Sequence, residues 1–548
     1  VARSELTRAL ETSRFGNLRA HPQSLEQDPA DKSTCYLAVD VLDSATTTPM
    51  LFQWSSALGG APVRFQTPLV NHRIHTGRGE IELTVFPFAS TDRENVRAFA
   101  EQVAPVFLPR PQRARPAIAA GNRHPEISLP AVFAGFREIL EKLKVNMAST
   151  VQLSATREMT TDDAIAARDG ENPTAVGHTR VSIQHLYHAG LWAAIRGGWR
   201  EGYSAEADHF IVSGSTPEEI RRSVEAVKEA IRHAVGYSKF TTDTSRMFEL
   251  QADPRHPQAW SDATVAQKFE KLFSDDEAHW IISEFSRTFR IEGTSYYLRR
   301  EEILRLAVKF GESLQLNEEL FNEIKSVRAK AGLHSAFDFE PSLDEAETLT
   351  TAKELLFYMH WLKAHGRPAQ LVPPNLGFKK RQAYPSAMAT TPENGIGLED
   401  YCHHKMWPEL VPRAVRDFGG KPIDELKARV TELAAVARYF DGTLSIHSGS
   451  GKQAEVLQAI GKATAGRVNY KISGELQLQL LDVLSVQPPG SSWRKLFERM
   501  AHRARKFAAA GAFGAESELA ELYVKKGLEF YLGDSARGRV DGNLFQVF

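Results

Sequence analysis

Cysteine is almost missing: 548 residues hold two, Cys35 and Cys402, far apart in the chain. That excludes a disulfide framework and an all-thiolate metal site. No apolar run approaches the roughly 18 residues that cross a bilayer. Charge of one sign is not in excess, since Lys+Arg is 67 and Asp+Glu 68. Near-neutrality gives no support to a nucleic-acid surface, which usually shows as a basic domain, nor to an anionic membrane. The opening VARSELTRALETSRFG is polar and lacks the apolar stretch of a secretory signal. The motifs H-E-x-x-H, G-x-S-x-G and G-x-G-x-x-G are all absent. A soluble cytoplasmic protein is therefore expected.

What is present is a globular balance, 42% apolar and 25% charged, enough for two to four domains. Residues 1–115 read as a small α/β unit, with strand-like runs at 35–41, 50–56 and 80–88 and a helix over 91–107. The segment LPRPQRARPA (108–117), rich in Pro and Arg, reads as a solvated linker. Beyond it, eight β-type runs alternate with helical ones, at 117–121, 150–154, 207–213, 238–244, 334–340, 369–375, 443–449 and 468–474. This predicts a (β/α)8 TIM-type barrel over 116–485, with a doubly wound open sheet as the rival. The stretch from about 246 to 332 is too long for a loop and carries helical patterns at 263–273, 299–312 and 316–330, so it predicts an inserted helical subdomain. Residues 486–548 read as a helical C-terminal tail.

Barrel enzymes place their chemistry at the C-terminal ends of strands. Those ends carry Asn122 and Arg123, Gln152 and Arg157, Asp208-His209, Asp243, Asp338 and Glu340, Asn375, His447 and Lys471. Burying so many polar groups costs several kcal/mol each unless they pair or bind a ligand. Each also has a plain structural reading: Asp243 as a helix cap, Glu340 as a turn residue before Pro341, Lys471 reaching solvent. Asp338 is expected to face differently from Glu340. His403-His404, in a polar segment, reads as a surface feature. The loop Ser448–Lys452 follows a strand and precedes a helix, so it could hold an anion, but Gln453 spoils the nucleotide-binding motif. Carboxylates and imidazoles without thiolates suit a divalent metal ion, Mn, Co, Ni, Zn or Mg.

Five blocks then resemble one family. GYSAEADHF (202–210), KFTTDTS (239–245), FDFEPSLDEAET (337–348), LSIHSGSGK (444–452) and YKISG (470–474) are similar, in order and spacing, to blocks of the tagaturonate epimerases; VQLSATREM (151–159) is similar more weakly. The resemblance covers about 117–485 and implies a metal-dependent isomerase of keto-sugar acids, working by retro-aldol and aldol steps. It implies His209, Glu340, His447 and Asp208 as metal ligands and Asp243 as a further ligand or base. Arg157, Lys452 or Lys471 would hold the substrate carboxylate or a developing oxyanion. The implied partner is a small sugar or sugar acid, with no nucleic acid and no membrane; a homo-oligomer stays open. Three departures stand out. Gly451 replaces an Asp, Ile472 replaces a Thr, and 373–384 lacks an Arg and a Glu. They imply a changed substrate, an aldolase or isomerase on a related sugar, or a degenerate binding protein.

Overall fold

In the computed structural model the described residues are 17–42, 47–56, 58, 60–77, 79–121, 124–145, 147–154, 159–167, 181–344, 346, 348–378, 417–447, 454–472 and 474–509. The N-terminal part is an antiparallel sheet. Its strands are β1 (Asn17–Ala20), β2 (Glu26–Gln27), β3 (Thr34–Leu42), β4 (Thr47–Ser55), β5 (Val70–Thr76) and β6 (Gly79–Pro87), in the order β1-β3-β4-β6-β5 with β2 beside β3. Three of these strands match the runs read from sequence, while β1, β2 and β5 are additional. The single helix expected over 91–107 is broken. Helix α1 (Arg93–Ala98) widens into a π turn over Phe99–Val103 and stops at Ala104, whose φ of -138° is extended. Pro105 follows, and a residue before proline is driven out of the helical region.

The next sheet has eight parallel strands: β7 (Ala117–Gly121), β8 (Ala148–Ser154), β9 (Ser204–Ile211), β10 (Lys239–Asp243), then β13 (Asp338–Ser342), β14 (Leu371–Val372), β15 (Thr443–Ile446) and β16 (Val468–Ile472). Their order is β13-β10-β9-β8-β7-β16-β15-β14. The ends of this row meet: Gln370 N donates to Phe339 O at 3.0 Å and Leu343 N to Pro373 O at 3.0 Å. The Gln370 side chain accepts from Phe339 N at 2.8 Å. The sheet is therefore a nearly closed TIM-type barrel, and the open-sheet rival falls. All eight runs chosen from sequence are strands. The fifth is displaced to Asp338–Ser342 and runs through Pro341, a residue that argues against a strand interior when read from sequence, and β14 is short because the prolines after it have no N–H for a ladder.

Helices α2 (Pro125–Leu143), α3 (Asp162–Ala166), α4 (Ile183–Gly197) and α5 (Pro217–His233) belong to the first half of the barrel. The insertion between β10 and β13 holds α6 (Asp262–Leu272), α7 (Asp275–Phe285), the hairpin β11 (Phe289–Ile291) and β12 (Thr294–Tyr296), and α8 (Arg300–Lys330). The two helices expected over 299–330 are one, since nothing between 312 and 316 breaks the pattern. Gly311 serves packing: a Cβ there would lie 2.7 Å from Leu272 and Phe273 side-chain atoms. Helices α9 (Ala352–Ala364), α10 (Pro422–Tyr439), α11 (Ala454–Ala463), α12 (Gly474–Ser485) and α13 (Ser492–Ala509) follow.

The apolar cores lie outside the cylinder. One joins Tyr36, Phe86, Phe88 and Phe99 to Phe133, Trp192, Ala205, Ala207 and Phe240. A second joins the insertion to α9, α10 and the outer faces of β13 to β15 through Phe310, Phe339, Tyr358, Leu433, Leu444 and Ile446, and a third lies on the N-terminal sheet around Leu37, Phe52, Trp54 and Leu83. Strand residues alternate between faces, so the inward positions are the remaining ones. Most of them are buried and polar: Thr150, Ser204, Glu206, Asp208, Lys239, Thr241, Asp243, Asp338, Glu340, Ser445, Asn469 and Lys471, while β7 and β14 contribute Ala117, Ala119 and Leu371. A barrel of this type is usually filled by branched aliphatics.

The segment 108–117 is not a solvated linker. Gln112 is buried, and its N–H donates to Asp338 at 2.6 Å, joined by Arg113 N at 3.0 Å. Asp338 and Glu340 share a face, as residues two apart on a strand do, which corrects the expectation that they diverge. They differ in depth: Asp338 sits at the start of β13, where these backbone amides hold it. Burial pushes its carboxyl above the usual range despite them.

Candidate active site

Asp208 and His209 are adjacent, so an ordinary strand would point them to opposite faces. A bulge prevents this. The β9–β10 register shifts between Phe240 and Thr242, and His209 has a φ of 55°. A bulge re-aims a side chain, and a left-handed non-glycine residue persists only where its surroundings enforce it. The His209 ring lies edge-on to His447, with centroids 4.8 Å apart and planes at 83°. His447 directly follows β15. Asp208, His209, Asp243, Glu340, His447 and Lys471, taken from five strands, thus meet in one place.

Lys471 fills the centre of the inner layer. Its ammonium donates to Asp208 at 2.6 Å and Thr241 at 3.2 Å and lies 2.5 Å from Glu340 and 2.7 Å from Glu206. Lys239 lies 2.7 Å from the other Glu340 oxygen and 3.1 Å from the other Glu206 oxygen. Two lysines and two glutamates so form a ring of alternating charge. For Lys471 and Glu340 burial works against the ion, but the partners win. Asp208, Glu206 and Glu340 hold the Lys471 ammonium well above its usual range. Lys239, Lys471 and His447 hold Glu340 well below the carboxylate range.

The histidines form the outer layer. His447 lies 2.8 Å from Glu340 through Nε2 and 2.9 Å from Asp344 through Nδ1. His209 lies 3.4 Å from Asp243 through Nδ1 and 3.7 Å from Asp208 through Nε2. Burial alone would lower an imidazole, yet Asp208, Asp243 and Asp344 raise His209 to about 10. Asp344 and Glu340 likewise raise His447. Asp208 drops to about 2 because His209, Lys471 and His447 outweigh its burial. Asp243 Oδ1 accepts from Ser245 N at 3.1 Å and Ser245 Oγ at 2.6 Å. Among the described residues its buried Oδ2 has no closer hydrogen-bond partner than His209 Nδ1 at 3.4 Å.

Formal charges set what this arrangement can take. Among the described residues, five carboxylates (Glu206, Asp208, Asp243, Glu340, Asp344) face two ammoniums (Lys239, Lys471). Five minus two leaves three negative charges, and two imidazoliums reduce that to one. A divalent cation in place of those two protons leaves the same balance, so the donor set fits one. Asp208, His209 and His447 offer donor atoms within 4.8 Å of one another. Glu206, Asp208 and Glu340 form a second such group, but the Lys471 ammonium already lies among their oxygens.

Other expected site residues fall elsewhere. Asn375 is structural: its side chain donates to Ala346 O and accepts from Gly377 N at 2.8 Å. Ile472 is next to Lys471 but packs against the apolar core on the other face of the sheet, so its replacement of a Thr does not reach the inner layer. Asn122, Arg123, Arg157, His403, His404, Gly451 and Lys452 lie outside the described residues, as do the side chain of Gln152 and the segment 379–384. Sequence reasoning passed over Glu206, Lys239, Thr241 and Asp344. A simple signal was available for three of them: each lies two residues from another inward group on its strand, and period two puts it on the same face.

Residues 175–379 match the family model of tagaturonate epimerase. The chain resembles the tagaturonate epimerases. A curated tagaturonate/fructuronate epimerase from Thermotoga maritima is 23% identical over 299 residues, 54% of this chain and 50% of that protein. The match therefore spans half of that relative's length. Crystal structures of the fructuronate-tagaturonate epimerase from Cohnella laeviribosi superpose with a TM-score of 0.58 at 16% identity, covering 98% of this chain and 90% of theirs; this likeness supports the fold. The epimerase-like stretch includes His209, Asp243 and Glu340, while His447 and Lys471 come from strands beyond it.

Proposed function

We propose that the chain is a sugar-acid epimerase of the tagaturonate/fructuronate type, with a divalent metal ion as cofactor. The observation that carries this is an acid-rich cage holding two facing histidines at the strand ends of a barrel that matches those epimerases. Asp208, His209 and His447 would hold the ion, with Glu340 orienting His447 or serving as a further ligand. When bound, it supplies Lewis acidity to a ketone oxygen and the hydroxyl beside it.

The two sugar acids differ at the carbon β to the ketone, where direct deprotonation gains no help from the carbonyl. A retro-aldol route does gain it. Asp243, whose buried Oδ2 faces His209, takes the proton of the β-hydroxyl. The carbon–carbon bond then breaks, the aldehyde turns over, and re-addition returns the proton from Asp243. Lys471 helps keep Asp208 and Glu340 ionised and holds Glu206, Asp208 and Glu340 in place. Arg157 and Lys452 remain the proposed partners of the substrate carboxylate. No C–H bond is broken on this route. Turnover of tagaturonate in D2O, followed by NMR, should therefore give fructuronate without deuterium at the inverted carbon. Deuterium there would refute the route, and no interconversion with any added divalent metal would refute the function. Since Ile472 faces away from the site, only Gly451 and the 373–384 block still favour a changed substrate; fructose and tagatose in the same assay test that second reading.

A further inference from the structure

The insertion returns to grip the strand it interrupts. Helix α8 carries Asn317, which is fully buried against the end of β10. Its side-chain oxygen accepts from Thr242 Oγ1. Its NH2 group donates to Thr244 Oγ1 at 2.8 Å, Tyr358 OH at 2.7 Å and Ser313 O at 3.0 Å. Ser313 Oγ lies 2.6 Å from Thr244 Oγ1 and 2.9 Å from the Tyr358 hydroxyl. Thr242 and Thr244 are the two neighbours of Asp243. They face outward to the insertion while Asp243 faces inward. Across the sheet, Thr242 is paired with Pro341, which has no N–H to give. One amide thus joins both flanks of Asp243 to two helices.

We propose that Asn317 is a positioning residue for Asp243, so that the insertion sets the placement of the carboxylate at the site. A buried amide with all its donors used costs little, but it fixes the atoms it bonds, and a small displacement of a catalytic group carries a large penalty in rate. The proposal rests on the proposed function only for its kinetic readout.

The test compares Asn317→Ala with Ile324→Ala, a fully buried apolar position two turns further along α8. Asn317→Ala should lower kcat for tagaturonate–fructuronate interconversion at least tenfold while KM stays within twofold. Ile324→Ala should lower the melting temperature at least as much and leave kcat per folded molecule unchanged. Thr244→Val, which removes one partner of Asn317 without changing shape, should give an intermediate kcat and serves if Asn317→Ala does not fold. An unchanged kcat in the Asn317 and Thr244 variants, or an equal fall in Ile324→Ala, overturns the assignment. If the unmodified protein does not turn over these sugars, the functional reading fails, and crystal structures decide the positioning claim. In Asn317→Ala or Thr244→Val the Asp243 carboxylate should leave its 3.4 Å separation from His209; an unmoved Asp243 overturns it.

Discussion

Lys471 and Lys309 are both buried, and both ammoniums are caged by carboxylates, but the two cages are balanced differently. In the insertion, Lys309 donates to Asp253 and Glu354 at 2.6 Å each and to Thr348 at 3.1 Å. Arg255 bonds the same two acids, at 2.7 Å and 2.6 Å. Among the described residues these pairs set two cations against two anions, and Glu354 also caps α9 through Thr351. Around Lys471 five carboxylates face two ammoniums, and the remainder rests on two histidines. A neutral network is complete without a ligand. A cage with surplus negative charge is complete only with protons or a metal cation, and that surplus is what separates a binding site from a structural hub.

The comparison breaks first at the histidines. His447→Ala should weaken divalent metal binding about 100-fold or more and take epimerase activity down with it, because a site short of one ligand is poorly shaped. Elemental analysis after dialysis reads the occupancy; full retention would remove His447 from the ligand set. The converse substitution is in the insertion. Lys309→Met leaves Asp253 and Glu354 with one cation between them, and breaking a buried pair costs about 3–5 kcal/mol. Denaturant unfolding should show that loss, while metal content and kcat per folded molecule stay at the unmodified level. If Lys309→Met lost activity without losing stability, the insertion cage would not be a structural hub.

Much of this contrast was legible before the fold. The eight strands and the acids at their ends follow from apolar runs and their termini. The two cages do not, because period two had to be followed inward from the strand ends to reach Glu206 and Lys239. Helix α7 was missed, although Ser274 and Glu277, which form a capping box, signal its start. The docking of 108–117 was not legible, since Pro and Arg signal a linker and nothing local reveals that Asp338, some 225 positions on, receives its amides. The bulge at His209 was equally hidden. A polar pair on a strand reads as alternating until the neighbouring strand imposes the extra residue.

A smaller effect separates the cages by ligand. A saturating divalent ion stabilises the folded state by RT ln(1 + [L]/Kd), about 2.7 kcal/mol at a hundredfold excess over Kd. Mn2+ or Zn2+ should raise the melting temperature of the unmodified protein and of Lys309→Met by a similar increment, and that of His447→Ala by almost none. An equal increment in all three proteins would place the cation away from the histidines.

The smallest effect is in acid. Asp253 is partly shielded by burial, which would raise its carboxyl, but Arg255 and Lys309 outweigh that and hold it well below its ordinary value of 3.8. A carboxylate depressed in the fold contributes stability that is present above its unfolded pKa and lost as pH falls through it toward the folded value. The contribution of Asp253 should thus be constant from neutral pH down to about 4 and shrink below that. Asp253→Asn removes the titration, so the stability gap between the two proteins, read by urea unfolding, should be the same at pH 7 and pH 5 and narrower at pH 3. A gap that already narrows between pH 7 and pH 5 would mean that the insertion cage is tuned by histidines, as the barrel cage is, and the contrast between a balanced network and a charged site would fail at its structural end.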